Sequence, residues 1–407
     1  MKYTGSIMVW GLLFFICPLC CAAGEQSPYA PWPEGPRTDA DYFPLGVWLQ
    51  DPADAPRWKN AGINLYIGLW EGPTARQLYT LRNAEMQVIA EQNQTALEFR
   101  SERLSDGRPL IAGYLLPDEP DNAQRCPNGQ GWCEPIPTAV IQKTYATWKT
   151  NDPNRPVLLG LGQGIAWDSM VWTGQGGHIV PSRDYPAYIA GSDITTFDIY
   201  PMDCGQTAAC GQAWRVALGL DRLYQFSPPK HIVWNTMETS DISANGIQAT
   251  MDQVRAEAWM SIIHGSRGLI YFIHGKTAIS KFDPRAMLRP ENAKRLAAFT
   301  QINNQIHQLA PVINSPAVKG LVTMDSIDNS SPVDFAVRIH EGKTYLFAVG
   351  MRQDITNKRF TLANYPDTEV EVIGEERRFT LKNAAFTDQF NGYQCHLYKI
   401  HAEVPVP

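Results

Sequence analysis

The chain is short of charge. Charged residues fill 19% of its 407 positions and hydrophobic ones 44%, where soluble domains usually carry roughly a quarter charged. The net charge is −6 and no basic run occurs, so the electrostatic footprint of a nucleic-acid-binding protein is missing. Only one long apolar segment is present, from about Ile7 to Leu19, and it is short for a bilayer span. No membrane span is therefore expected in the mature chain. Cysteine and histidine pairs at zinc-ligand spacing are absent. So is the Gly-x-Ser-x-Gly elbow of an esterase. No phosphate-binding glycine turn follows the first strand-like run, and "GLGQG" breaks the dinucleotide pattern because Ile165 follows Gly164. Nothing calls for a metal or a cofactor.

What is there begins with an address. Lys2 precedes the apolar segment and small residues follow it, the pattern of a secretory signal peptide over residues 1–23, cut after Ala23. The expected destination is outside the cell or a periplasm. The alternatives are an uncleaved anchor or lipid attachment at Cys20 or Cys21, which Pro18 and Leu19 suit poorly. Export means an oxidising compartment. Of the eight cysteines, Cys17, Cys20 and Cys21 leave with the leader. Cys126 and Cys133 bracket "PNGQGW", and Cys204 and Cys210 bracket "GQTAA". Both pairs read as disulfides that staple short loops, and Cys395 is left as a buried thiol.

Eight apolar runs recur between helical patterns: "FPLGVWLQ" (from Phe43), "INLYIGLW" (Ile63), "MQVIAEQN" (Met86), "LIAGYLLP" (Leu110), "PVLLGLGQ" (Pro156), "ITTFDIYP" (Ile194), "HIVWNTME" (His231) and "GLIYFIHG" (Gly268). Runs without strict alternation suit parallel strands covered on both faces. Eight strand–helix units in series predict a (β/α)₈ barrel over residues 24–310; a doubly wound open sheet is the competing layout. From about Pro311 the runs alternate or are β-branched, with no helix-length pattern between them. That texture predicts an antiparallel β-sandwich over residues 311–407. No Pro/Gly/Ser-rich linker precedes it, so the two parts are expected to pack together.

In such a barrel the chemistry sits at the C-terminal ends of the strands. Those ends carry Trp48 and Gln50, Trp70 and Glu71, Gln92 and Asn93, Asp118 and Glu119, Gln163, Tyr200, Asn235 and Glu238, and His274. This polar and aromatic ring suits an uncharged polyhydroxylated ligand, a carbohydrate, better than a phosphate. The twelve Trp and sixteen Tyr supply flat faces for a sugar. Glu119 and Glu238 stand after strands four and seven, where they can face each other across the cleft. Hydrolysis of a glycoside needs such a pair: one carboxylic acid protonates the leaving oxygen, and the other attacks the anomeric carbon or activates water. Taken alone, "PDEP" also reads as a turn that starts a helix. His178, His264 and His274 are possible bases, though lone histidines at a rim more often hold structure or sugar.

The arrangement resembles clan A of the glycoside hydrolases, the retaining (β/α)₈ enzymes. "DEP" at Asp118–Pro120 resembles that clan's acid/base motif after strand four, and "WNTMET" from Trp234 is similar to its nucleophile motif after strand seven. The resemblance implies that Glu119 is the acid/base, that Glu238 is the nucleophile of a retaining β-glycosidase, and that Tyr200 hydrogen-bonds Glu238. Trp48, Trp70, Asn93, Gln163, Asn235 and His274 would contact the sugar. One departure stands out: Asp118 replaces the clan's Asn, and an ionised carboxylate cannot donate a hydrogen bond. The Asp-Glu pair also resembles substrate-assisted hexosaminidases, in which Asp orients an acetamido group that acts as nucleophile. A carbohydrate-binding barrel without chemistry is the non-enzymatic alternative.

Overall fold

The computed structural model describes residues 27–167, 180–202, 210–241, 247–276, 282–328 and 331–404. The leader, Cys204 and His178 lie outside these residues. Eight parallel strands close on themselves: β1 Leu45–Trp48, β2 Leu65–Ile67, β3 Gln87–Ala90, β4 Ile111–Leu115, β5 Val157–Leu161, β6 Ile194–Ile199, β7 Asn235–Glu238 and β8 Leu269–Phe272. A short piece, Ile232–Val233, leads into β7. Each strand pairs with the next, and β8 pairs with β1 (Leu45 opposite Leu269), which closes the barrel. All the residues of β1, β4 and β5 are buried, as expected of strands with side chains on one face in the lumen and on the other under helices.

Helices α1 (Ala55–Asn60), α2 (Ala75–Asn83), α3 (Gln94–Phe99), α4 (Thr138–Asn151), α5 (Tyr185–Ile189), α6 (Arg215–Phe226), α7 (Met251–Ile263) and α8 (Ala293–Ile313) form the outer ring. Local signals start several of them. Thr74 with Gln77 and Thr250 with Gln253 close capping boxes at α2 and α7. The lumen is filled by residues such as Leu65, Ile67, Ile89 and Trp234. Its floor is closed by Tyr29, whose hydroxyl donates to the Arg267 carbonyl at 2.6 Å and accepts from Trp234 Nε1 at 3.0 Å.

The C-terminal part is all antiparallel. Strands β9 (Val322–Ser326), β12 (Ile355–Leu362) and β15 (Ala385–Asn391) form one sheet in the order β9-β12-β15. Strands β10 (Val333–His340), β11 (Lys343–Gly350), β13 (Thr368–Val372), β14 (Arg377–Leu381) and β16 (Cys395–Glu403) form the other, in the order β10-β11-β16-β13-β14. Phe360, Phe386, Leu346 and Tyr398 share the core between them. Helix α8 runs through Pro311 to Ile313, slightly beyond the point where the sequence texture changes. The sandwich packs on α7 and α8 without a linker: Trp259 and Phe347 lie 4.9 Å apart, and Arg255 donates to the Cys395 carbonyl at 2.7 Å.

Cys126 and Cys133 are disulfide-bonded across a two-stranded hairpin, Gln124–Arg125 with Trp132–Cys133, just after β4. Cys210 is also in a disulfide. Cys395 is a free, buried thiol. Among the described residues no helix is long and apolar enough to cross a membrane.

Candidate active site

Beyond β4 the chain is held as it turns. Leu116 still donates to the Leu158 carbonyl at 3.0 Å, and Glu119 N donates to the Gly160 carbonyl at 3.1 Å. Glu119 then takes a left-handed backbone, φ +39°, which a non-glycine residue adopts only when its surroundings enforce it. The enforcement is visible. The Glu119 carbonyl accepts from Asn122 N at 2.9 Å and from Gln124 Nε2 at 3.0 Å. Asp121 Oδ1 accepts from Gly162 N at 2.8 Å, tying the turn to the end of β5. Contact there is close: a Cβ on Gly162 would come 2.4 Å from Asn122 Nδ2.

This turn delivers Glu119 to β6. Its carboxyl meets that of Asp198, whose Oδ1 is buried without a hydrogen-bond partner. Burial first, and then the charge of Glu119, push the Asp198 carboxyl well above the carboxylate range. Tyr200 stands beside Asp198 and sets its ring edge-on to Phe272 at 5.6 Å. Asp118 keeps solvent-exposed surface, yet protein packs closely around its carboxyl. That surrounding, ahead of the charges of Glu119 and Asp121, pushes it up to about 7. Burial, with Glu119 adding to it, likewise takes Asp121 up to about 7.

Glu238 sits differently. No part of it is exposed. Its Oε1 accepts from Met202 N at 2.6 Å, and its carboxyl meets that of Glu257 on α7. Burial and the Glu238 charge raise Glu257 well above the carboxylate range. So the structure brings Glu119 together with Asp198 and Tyr200, and Glu238 together with Glu257. Tyr200, read from the sequence as a partner of Glu238, lies beside Asp198.

The remaining strand-end residues divide between lining and scaffold. Trp70 is 70% exposed at the rim, open to a flat ligand. Trp48 is buried among the lumen residues. Asn93 caps α3: its Oδ1 accepts from Ala96 N, and its Nδ2 donates to the Pro73 carbonyl, both at 2.9 Å. Gln163 Oε1 accepts from Trp167 Nε1 at 2.8 Å. Asn235 is fully buried and donates to Ser261 Oγ of α7 at 3.0 Å. His274 is buried against Phe272, 4.9 Å between rings, and burial pushes its imidazole down to about 4, so it is neutral. His264 lies outside the mouth, at the seam with the sandwich. Three carboxyl groups that stand beside the two glutamates escaped the sequence reading: Asp198, Asp121 and Glu257. The first was legible in principle, because residues two apart on a strand share a face and Asp198 stands two before Tyr200. Among the described residues no group of three or more His, Cys, Asp or Glu is arranged to hold a metal ion.

No protein-family model and no curated protein matches this sequence. Solved structures do. The α-amylase of Geobacillus thermoleovorans, crystallised with acarbose, is 11% identical over 91% of this chain and 100% of its own, with a TM-score of 0.52. An Anoxybacillus α-amylase is 10% identical over 91% of this chain and 100% of its own, at 0.53. A putative α-galactosidase from Bacteroides fragilis is 10% identical over 90% of this chain and 81% of its own, at 0.50. The likeness is one of fold. This chain has the (β/α)₈ barrel with a C-terminal β-domain that these glycoside hydrolases share.

Proposed function

We propose that the chain hydrolyses glycosidic bonds of a neutral poly- or oligosaccharide at the C-terminal mouth of its barrel, with Glu119 as acid/base. The observation that carries this reading is the contact of the Glu119 and Asp198 carboxyls, made by a left-handed, clamped turn. A departing sugar oxygen needs a proton at neutral pH. A carboxyl pair that keeps one proton there is a means of supplying it. The fold hosts glycosidases, and the exposed Trp70 offers a sugar platform. The linkage expected from the sequence is β, whereas the solved structures with this fold include α-amylases. The anomer therefore has to be read from substrates.

In the double-displacement form of this proposal Glu238 is the nucleophile. Its place at the end of β7 supports that role. To touch an anomeric carbon, however, its carboxylate has to turn away from Glu257 and Met202 N. This enclosure favours a second reading, in which the nucleophile is the acetamido group of an N-acetylated substrate. Asp118, open to solvent beside Glu119, would orient that group.

One experiment separates these readings. Wild type, Glu119→Gln, Asp118→Ala and Glu238→Ala are assayed on aryl α- and β-glycosides of hexoses and N-acetylhexosamines, and on the corresponding polymers. Glu119→Gln should lose polymer hydrolysis by about 10² or more, the usual worth of general-acid catalysis, and lose least on activated aryl glycosides. Full polymer activity in that variant sinks the proposal. Azide rescue of Glu238→Ala supports double displacement. An active Glu238→Ala with a dead Asp118→Ala, on N-acetylated substrates only, supports the second reading.

A further inference from the structure

Glu257 lies in the wall between α7 and β7, completely buried, and neither of its carboxyl oxygens has a donor that is always protonated. Burying an ionised carboxylate in that condition is costly. The group it meets, Glu238, is another carboxyl, equally buried. The two are not equivalent. Glu238 Oε1 accepts from the Met202 peptide at 2.6 Å, and the guanidinium of Arg295 on α8 attracts its charge. Glu257 has neither aid. Tyr393, in the turn between β15 and β16, also senses it. Helix α7 is pinned to β7 one turn further on, where Ser261 Oγ accepts from Asn235 Nδ2 at 3.0 Å and donates to the Glu257 carbonyl at 2.8 Å.

We propose that Glu257 is a positioning residue for Glu238: it carries the single proton that the two buried carboxyls share and donates it across their contact, leaving the charge on Glu238. The shared proton follows from the contact itself. Its effect on turnover rests on the double-displacement reading above.

The test uses the full chain with Glu257→Gln, which keeps a donor and never ionises, and Glu257→Leu, which keeps none. A native carboxyl that holds its proton above the ordinary carboxyl range costs stability as pH rises, because the unfolded chain releases that proton and the native state does not. The melting temperature of Glu257→Gln should therefore gain on wild type steadily from about pH 5 upward. Turnover should fall about tenfold or more in Glu257→Leu at unchanged KM, the worth of one hydrogen bond to a charged group, and stay within a few-fold of wild type in Glu257→Gln. If Leu fails to fold, the Gln melting profile still decides. Melting curves that stay parallel across pH overturn the shared proton. Equal loss of kcat in both variants overturns the positioning role. An active Glu238→Ala overturns the positioning role together with double displacement, whereas an inactive Glu238→Ala with parallel melting curves overturns this proposal alone.

Discussion

Glu119 and Asp198 meet carboxyl to carboxyl at the mouth of the barrel, on strand ends two places apart. While Asp198 is present the pair releases its last proton late, because a second charge in that spot is opposed by burial and by the first charge. The pair therefore holds its last proton above the ordinary carboxylate range. Asp198→Asn removes the opposing charge and places an amide donor against Glu119. The alkaline limb of kcat/KM should then move to lower pH, with turnover at neutral pH down about tenfold or more. An unmoved alkaline limb would mean that the pair does not set the proton supply.

The eight strands were legible because each is a mostly apolar run without strict alternation, and the sandwich because its runs alternate or are β-branched. The candidate site was legible in proportion to its local signal. Glu119 announces itself through the prolines on either side and the abrupt end of β4. Asp198 does not: it sits inside "FDIYP" as a strand residue, and only the closure of the barrel brings it to Glu119. Glu257 is harder still. It occupies a helix position that reads as ordinary polar surface, and its burial comes from α7 lying between β7 and the sandwich, packing that the local sequence of α7 does not encode. Asn93 shows the converse: an amide at a strand end is also the residue type that caps the next helix, and here the cap uses both ends of it.

Gly162 tests the clamp on the Glu119 turn. Its backbone is extended rather than left-handed, φ −74°, so alanine is conformationally acceptable there. The obstacle is Asn122, whose Nδ2 would lie 2.4 Å from the new Cβ. Gly162→Ala should push Asn122 and the adjacent Asp121 outward and stretch the 2.8 Å bond from Gly162 N. The expected result is a folded protein with kcat reduced at least tenfold, as a misplacement of about 1 Å suffices for. Wild-type kcat would show that the turn holds Glu119 without this contact.

The Cys126–Cys133 bridge closes a loop of seven residues' separation, worth about 2 kcal/mol in the chain-entropy account. It pins a hairpin on which Arg125 stacks over Trp132 at 3.9 Å. Gln124, at the start of that hairpin, donates to the Glu119 carbonyl. Reduction, or Cys126→Ser with Cys133→Ser, should expose Arg125 to trypsin and lower kcat, while far-ultraviolet circular dichroism stays unchanged. Proteolysis and kcat unaffected by reduction would show that the hairpin holds without its bridge.

His264 joins the barrel to the sandwich. Its Nδ1 lies 2.9 Å from Asp221 on α6 and its Nε2 3.0 Å from Asp334 on β10. Both ring nitrogens face carboxylates, which is satisfied only when both carry a proton. Burial opposes that charge, but the two hydrogen-bonded carboxylates outweigh it and raise the imidazole to about 9. The folded value lies above the unfolded one, so the stabilisation is complete below about pH 6.5 and disappears as pH rises through 9. Asp221 and Asp334 keep 60% and 39% of their side chains in solvent, and screening reduces the contribution to about 1 kcal/mol. His264→Gln should therefore melt below wild type at pH 6 and converge on it by about pH 9.5. Salt should narrow the gap at pH 6, since the carboxylates are partly solvated. A gap of constant size across that range would assign the role of His264 to packing rather than to charge.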